Sequence, residues 1–430
     1  MSSPDKSEFK TVHLWQALIP VVALIGLIAI NLLKFEGEAH IPLILASGVA
    51  ALVGLSLGHS WKSIEKGILD GILIGMKAIL ILCVIGVMIG TWIAAGVVPF
   101  MIYYGLQILS PGIFLVAACL ICAVVSLATG SSWTTASTVG IALMGVATGL
   151  NIPAPMAAGA VISGAYFGDK MSPLSDSTNL APAVAGSELF EHIRHMLYTT
   201  LPALFIALIL YGLLGMRGFE GSIQTSQVAE ITEALKTQFD LSFILILPPL
   251  FVIGMVFFRW QALPALLLAA LIGGLIALGI QGESIGSVFY IAHYGYVSKT
   301  GNEAVDALLS HGGLDGMMNT ISLVLCALSF GGIMERTGLL KTLAQSILNL
   351  ARSTGSLVAA TVCTCLGMNI LAPDQYLSII VPGRMYRDAY RTRGIHPKNL
   401  SRTLEDAGTL SSPLVAWNSC GAFMAGTLAV

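Results

Sequence analysis

Twelve consecutive residues, Gly168-Asp169-Lys170-Met171-Ser172-Pro173-Leu174-Ser175-Asp176-Ser177-Thr178-Asn179, hold two carboxylates, a lysine, three serines, a threonine and an asparagine. Apolar sequence flanks them, from Pro153 to Phe167 before and from Leu180 to Gly186 after. Oxygen-rich side chains around a proline suit a cation or a small polar solute. Pro173 has no amide hydrogen and its ring clashes with the preceding turn, so a helix cannot run through it unbroken. Broken backbone at membrane depth survives only where protein buries it or water reaches it, and polar residues there are commonly functional. The stretch therefore predicts a cation or solute site built into a discontinuous transmembrane helix. The duller alternatives are a helix cap at the membrane surface for Asp169 with Lys170, and a purely structural break at Ser172-Pro173.

The elements that hold such a site follow from composition. Of 430 residues, 10% are charged and 56% hydrophobic, and the mean hydropathy is +0.85. Soluble domains carry about 25% charged residues, so the chain is a polytopic membrane protein of the all-α class. The net charge of −2 says nothing about nucleic acid, and no nucleic-acid partner is expected. Seven cysteines in apolar segments are reduced core residues, and Cys119 with Cys122 finds no second pair to complete a metal site. No His-Glu-x-x-His pattern occurs, and an enzyme is not expected.

Continuous spans are expected at Val12–Leu33, Ile41–Leu57, Ile68–Ala95, Leu197–Met216, Leu241–Phe258, Ala262–Ile280 and Gly316–Met334. Two regions differ. Residues 112–150 are apolar but interrupted at Thr129-Gly130-Ser131-Ser132, and residues 356–385 at Gly367-Met368-Asn369, with Pro373, Asp374 and Gln375 just after. Two crossings need ~20 residues on each side of a break. Most of these halves are shorter, so both regions predict re-entrant hairpins with the polar break at the tip.

Each hairpin precedes a helix with a polar interruption. The first broken helix is 154–195. The second is 400–430, interrupted around Glu405-Asp406-Ala407-Gly408-Thr409-Leu410-Ser411-Ser412-Pro413-Leu414. Ser-Pro-Leu occurs in both interruptions. Leu69-Asp70-Gly71 and Leu314-Asp315-Gly316 open earlier spans, where Asp70 and Asp315 read as N-terminal helix carboxylates. Asp70 precedes Ser172 by 102 positions and Asp315 precedes Ser412 by 97, so an internal repeat is expected. The division is then 1–36 (N-terminal segment and first helix), 37–216 (first repeat), 217–240 (extramembrane acidic linker) and 241–430 (second repeat). By symmetry the second repeat lacks a counterpart of Leu197–Met216, which predicts one further helix.

Between Arg384 and Arg402 lie Arg387, Arg391, Arg393 and Lys398 against Asp388 alone, which places this linker in the cytoplasm. Residues 134–168 hold no charge, as expected outside. Lys62 and Lys66 then fall inside, the acidic loop with Glu220, Glu230, Glu233 and Asp240 outside, and the N-terminus in the cytoplasm. The repeats are thus expected to be inverted, a recurrent transporter architecture with the site near the midplane.

The nineteen residues Gly164 to Pro182, containing Gly168-Asp169-Lys170-Met171-Ser172-Pro173-Leu174-Ser175-Asp176-Ser177-Thr178-Asn179, closely resemble the hallmark of the NhaC-type sodium/proton antiporters. Thr129-Gly130-Ser131-Ser132-Trp133 resembles that family's first hairpin. Asp374-Gln375-Tyr376-Leu377-Ser378 and the run Asp406 to Asn418 resemble its second half. The resemblance covers nearly the whole chain. It implies the ion-transporter superfamily, two inverted repeats with hairpins, and Na+/H+ exchange as the default activity. Na+ and H+ are the expected transported ions, with Li+ left open, and no cofactor is expected. Some relatives exchange malate for lactate or carry amino acids, so coupled movement of a small organic anion or amino acid is the alternative.

Sodium takes oxygen ligands. Asp169 and Asp176 are seven residues apart, ~10 Å in a continuous helix, and unwinding between them would let both approach one Na+ with Ser172. Ser175, Thr178 and Asn179 complete the candidate shell. A carboxylate that binds Na+ or H+, but not both, couples the two fluxes. Asp176, inside the interruption, is the first choice for that switch and Asp169 the second. The tip residues Thr129, Gly130, Ser131 and Ser132 oppose them. Asn369, Asp374, Asp406, Thr409, Ser411, Ser412 and Asn418 are the second-half candidates. Trp133 and Trp417 default to packing. The expected surroundings are the lipid bilayer of a prokaryotic-type inner membrane and small cations, with a homodimer left open.

Overall fold

The computed structural model describes residues 12–35, 37–218, 225–258, 260–302, 305–306 and 309–430. Those residues are almost entirely helical and include no strand. Seven helices are long and apolar enough to cross a bilayer: Leu14–Phe35, Trp61–Ala94, Pro111–Thr129, Leu189–Met216, Ala262–Gly279, Met318–Arg336 and Thr354–Leu371. The protein is an all-α integral membrane protein. Its helices divide by burial. The apolar window of Leu14–Phe35 is 11% buried and that of Leu189–Met216 only 6%, against 56% for Met318–Arg336. The first two offer leucine, isoleucine and phenylalanine to lipid, where no hydrophobic penalty applies, while the last lies inside the protein.

Contacts divide the chain into two compact units. One comprises residues 1–79, 180–192 and 320–422, the other 80–179, 193–319 and 423–430. In the first, the start of Trp61–Ala94 packs on Met318–Arg336 through glycine. A Cβ at Gly332 would strike the Gly67 carbonyl, and one at Gly71 would lie 2.6 Å from the Leu328 carbonyl. In the second, Gly164 and Gly168 of Ala154–Met171 lie against the Cys119 and Ala123 carbonyls of Pro111–Thr129. Ser126 Oγ donates to the Ala165 carbonyl at 2.5 Å across the same contact. Glycines four apart lie on one helix face, so these two backbones touch directly.

The order of elements recurs. Trp61–Ala94 is followed by a short helix, Val97–Ile108, whose N-cap Gly96 has φ 81°; Met318–Arg336 is followed by Leu339–Asn349, whose N-cap Gly338 has φ 76°. Glycine accepts this left-handed conformation at little cost. A 19-residue helix (Pro111–Thr129) and an 18-residue helix (Thr354–Leu371) come next, each ending at a break. After the first break come Ser132–Thr135, a π-helical turn at Ala136–Gly140 and Ile141–Gly149; after the second comes Gln375–Thr392. The interrupted helices follow: Ala154–Met171 with Asp176–Ala185, and Pro397–Leu404 with a π turn at Glu405–Thr409, a 3-10 turn at Ser412–Leu414 and Ser419–Leu428.

Several expectations need correction. The second break falls at residues 372–374, not Gly367-Met368-Asn369, because the helix continues to Leu371 and it is Pro373 that lacks an amide. The helix with Asp70 begins at Trp61, so Asp70 lies within it and is no N-terminal carboxylate. The first interrupted helix ends at Ala185, not 195. Gly186 (φ 82°) turns the chain, and residues 189–195 begin the helix Leu189–Gly218. The acidic linker contains a helix, Thr225–Gln238; Glu220 lies outside the described residues. The short helices at 97–108, 285–294 and 339–349 were not anticipated.

Candidate functional site

Two polar centres form where a break between successive helices meets a helix interruption. The first lies in the second unit. Thr129 ends one hairpin arm, and Gly130 (φ 68°) closes it by donating its N–H to the Ser126 carbonyl at 2.7 Å. Ser131 starts the other arm, its Oγ accepting the Thr134 N–H at 3.2 Å. No side chain fits at Gly130, because a Cβ would lie 2.7 Å from Leu174 Cβ and 2.9 Å from the Ser175 nitrogen. The hairpin tip therefore abuts the interruption at Ser172–Ser175.

Across that contact Asp169, in the last turn of Ala154–Met171, is 7% exposed. Its Oδ2 accepts the Ser132 hydroxyl at 2.6 Å and the Ser132 N–H at 3.2 Å. Ser175 and Asp176 lie close to the same carboxylate. The interruption is ordered locally. Ser172 Oγ accepts the Leu174 N–H at 3.3 Å, and Thr178 Oγ1 donates to the Lys170 carbonyl at 2.9 Å and the Asp169 carbonyl at 3.2 Å. Asn179 Nδ2 donates to the carbonyls of Pro173 (2.8 Å) and Ser175 (2.7 Å). Thr129, Ser132, Ser172, Ser175, Ser177, Thr178 and Lys170 are all buried. Asp176 opens the helix Asp176–Ala185 and is exposed, as is Asn179. One further contact reaches the tip. Trp133 stacks on Phe423 with ring centroids 3.9 Å apart and planes 16° from parallel.

The second centre lies in the first unit and joins amides and hydroxyls, with buried carboxylates at its tip (Asp374) and in its π turn (Glu405). Asn369 Nδ2 donates to the Gly408 carbonyl at 2.7 Å and Ser411 Oγ at 2.8 Å. Asn418 Nδ2 donates to the Asn369 carbonyl and to Asn369 Oδ1, each at 3.1 Å, while its own Oδ1 accepts the Cys420 N–H. Ser412 Oγ donates to Gln375 Oε1 (3.2 Å) and the Thr409 carbonyl (2.7 Å). Asp374 is 4% exposed, and its Oδ1 accepts the Leu377 N–H at 3.0 Å as an N-cap. Asp406 is half-buried and 4.0 Å from Arg402 Nε. Thr409 is buried within the π turn, and its hydroxyl has no hydrogen-bond partner. Gln375 was not among the expected site residues. Its signal was a lone amide one residue past Pro373-Asp374, at the mouth of an apolar arm.

A family description, the Na+/H+ antiporter family, matches residues 164–430, a range that begins in the helix bearing Asp169 and includes all of the second centre. The chain is 42% identical over 414 residues to the Na+/H+ antiporter NhaC of Alkalihalophilus pseudofirmus, covering 96% of this chain and 89% of that one. The chain belongs to the NhaC-type Na+/H+ antiporter family. The family's reach is wider than sodium and protons. An arginine/ornithine antiporter, ArcD, of Halobacterium salinarum is 40% identical over 423 residues (96% of this chain, 86% of that one). A malate-2H+/Na+-lactate antiporter of Bacillus subtilis is 37% identical over 417 residues (96% and 89%). Relatives of the NhaC-type family therefore differ in cargo at nearly equal similarity, and cargo has to be argued from the site.

Proposed function

We propose that this protein exchanges Na+ for H+ by alternating access, and that Asp169 is the carboxylate for which the two cations compete. The observation that carries this reading is the setting of Asp169: a buried carboxylate facing a hairpin tip, with hydroxyls of Ser132 and Ser175 beside it. An ionised carboxylate among hydroxyl oxygens provides hard ligands for Na+, and a protonated one does not. Neutralising it with either cation lowers the cost of keeping it away from water, so each cation displaces the other. Asp176, exposed and at a helix start, is better suited to attracting cations than to switching. Ser172, Ser175 and Thr178 shape the interruption, and Ser131 and Gly130 shape the tip that closes on it.

In this reading Ser411, Ser412, Asn369 and Asn418 brace the matching interruption, and Asp374 caps the second tip. The two interruptions belong to inverted repeats, the hairpins are re-entrant from opposite faces, and the N-terminus is cytoplasmic in a prokaryotic-type inner membrane. The recurrence of elements and the arginine-rich linker support this arrangement. A second reading, coupled exchange of a small organic anion or amino acid, draws support from the relatives that carry malate, lactate, arginine or ornithine.

Proteoliposomes loaded with a pH-sensitive dye test both. A Na+ or Li+ gradient is expected to drive proton movement, and Asp169→Asn to abolish it. If Asp169→Asn retains the response, the assignment of the switch is wrong. Uptake of labelled malate, lactate, arginine or ornithine without any cation-driven proton movement would replace the first reading by the second.

A further inference from the structure

We propose that Phe423 is a positioning residue for the Asp169 centre: its stack on Trp133 fixes the hairpin tip whose Ser132 holds the Asp169 carboxylate. The inference rests on the reading of Asp169 as the cation-binding group, and adds to it a residue over 250 positions away in the chain.

Ser132 supplies two donors to Asp169 Oδ2, and Trp133 is the next residue. The arm they start runs from Ser132 through the π turn at Ala136–Gly140 into Ile141–Gly149. A π turn departs from the regular helix, and packing on either side of it fixes the angle of the first turn. Phe423, fully buried, lies against the Trp133 ring at 3.9 Å and 16°. Farther along the same two elements, Gly140 faces Leu428, where a Cβ would come within 3.2 Å of Leu428 Cδ2. The helix Ser419–Leu428 thus meets the arm at both ends of the π turn. That helix begins at the second interruption, where Asn418 Oδ1 accepts the Cys420 N–H and the Ser419 N–H bonds the Pro373 carbonyl at 3.0 Å. Phe423 follows Asn418 by five residues, ~7.5 Å of helix.

The test measures proton flux against Na+ concentration in proteoliposomes for wild type, Phe423→Ala, Phe423→Tyr and Asp169→Asn. It also follows Na+-induced Trp emission changes, with Trp133→Phe as the blank. Phe423→Ala is expected to raise the half-saturating Na+ concentration about three- to tenfold, with maximal flux within about twofold. Phe423→Tyr, which keeps the ring, should restore wild-type affinity. The Trp133 emission change should be present in wild type, shift to higher Na+ in Phe423→Ala, and vanish in Asp169→Asn. If Phe423→Ala lowers maximal flux at unchanged half-saturation, the residue is structural and the proposal fails. If Asp169→Asn leaves the Na+ response intact, the reading of Asp169 fails, whatever Phe423 does.

Discussion

The two interruptions stand at corresponding places in the order of elements and are filled with different chemistry. The first has a buried carboxylate, Asp169, with the Ser132 hydroxyl of the opposing tip bonded to it. At the second, amides and hydroxyls bridge tip and interruption, Asn369, Asn418 and Gln375 with Ser411 and Ser412, while a buried carboxylate, Glu405, lies in the π turn of the interruption. Its tip carboxylate, Asp374, is occupied in capping its own arm, a task that Ser131 performs at the first. A closed network of amide bonds rigidifies, and each donor left unmatched in a buried place would cost ~1–3 kcal/mol. A carboxylate among hydroxyls exchanges ligands. Under the proposed function, the first centre is the cation site and the second a brace.

Substitutions can break this contrast. The largest effect is expected from the pair Asp169→Asn and Asp374→Asn. Asp169→Asn should reduce Na+-driven proton flux on the order of a hundredfold, equivalent to ~3 kcal/mol for bonds to a charged group. Asp374→Asn keeps a capping oxygen and should change flux by less than about threefold. Equal losses in the two variants, measured with the dye assay at matched protein content, would erase the distinction. Next, Asn418→Ala should act on stability, lowering it by ~1–3 kcal/mol as Asn369 loses its partner. A drop in melting temperature in detergent with half-saturating Na+ nearly unchanged would support the brace. A large rise in half-saturating Na+ would mean that the second centre binds cation.

Ser132→Ala removes a hydroxyl but leaves the backbone N–H, so half-saturating Na+ should rise about tenfold, with ~1.5 kcal/mol lost. An unaltered Na+ titration would separate the tip from the site. The smallest effect is expected for Asp176→Asn. Being exposed, Asp176 should affect flux by less than about threefold, and more at low than at high ionic strength because free charges are screened. A loss as deep as that of Asp169→Asn would move the switch into the interruption.

The sequence made the polar interruptions visible because proline and clustered hydroxyls are conspicuous in apolar chain. Gly130 and Pro173 mark real ends of helices. Asn369 misled, because a buried asparagine reads as a break when its partners are unknown. Here it sits within an intact helix and reaches residues 39 and 42 positions away. The helices at 97–108 and 339–349 were hidden for another reason: their starts are left-handed glycines rather than serine or aspartate caps, and hydrophobic periodicity does not register such a corner. In the sequence, Asp176 ranks ahead of Asp169 only because it lies inside the interruption. Spacing treats them alike, and what separates them is burial, set by Gly164 and Gly168 seating one helix against the hairpin arm. Gly168→Ala would test that seating directly, with a stability loss of ~1–3 kcal/mol from overpacking.

The π turn at Ala136–Gly140 has a consequence for sequence variation. A π turn carries one residue more than the α-helix around it requires. Removing a single residue from 136–140 would let the arm close up as regular α-helix, preserving the phase of everything after it. Removing one from Ile141–Gly149 would instead rotate the remainder by ~100°. This arm should thus tolerate a one-residue deletion at one position in its length, and a deletion scan read out by folded yield would locate it.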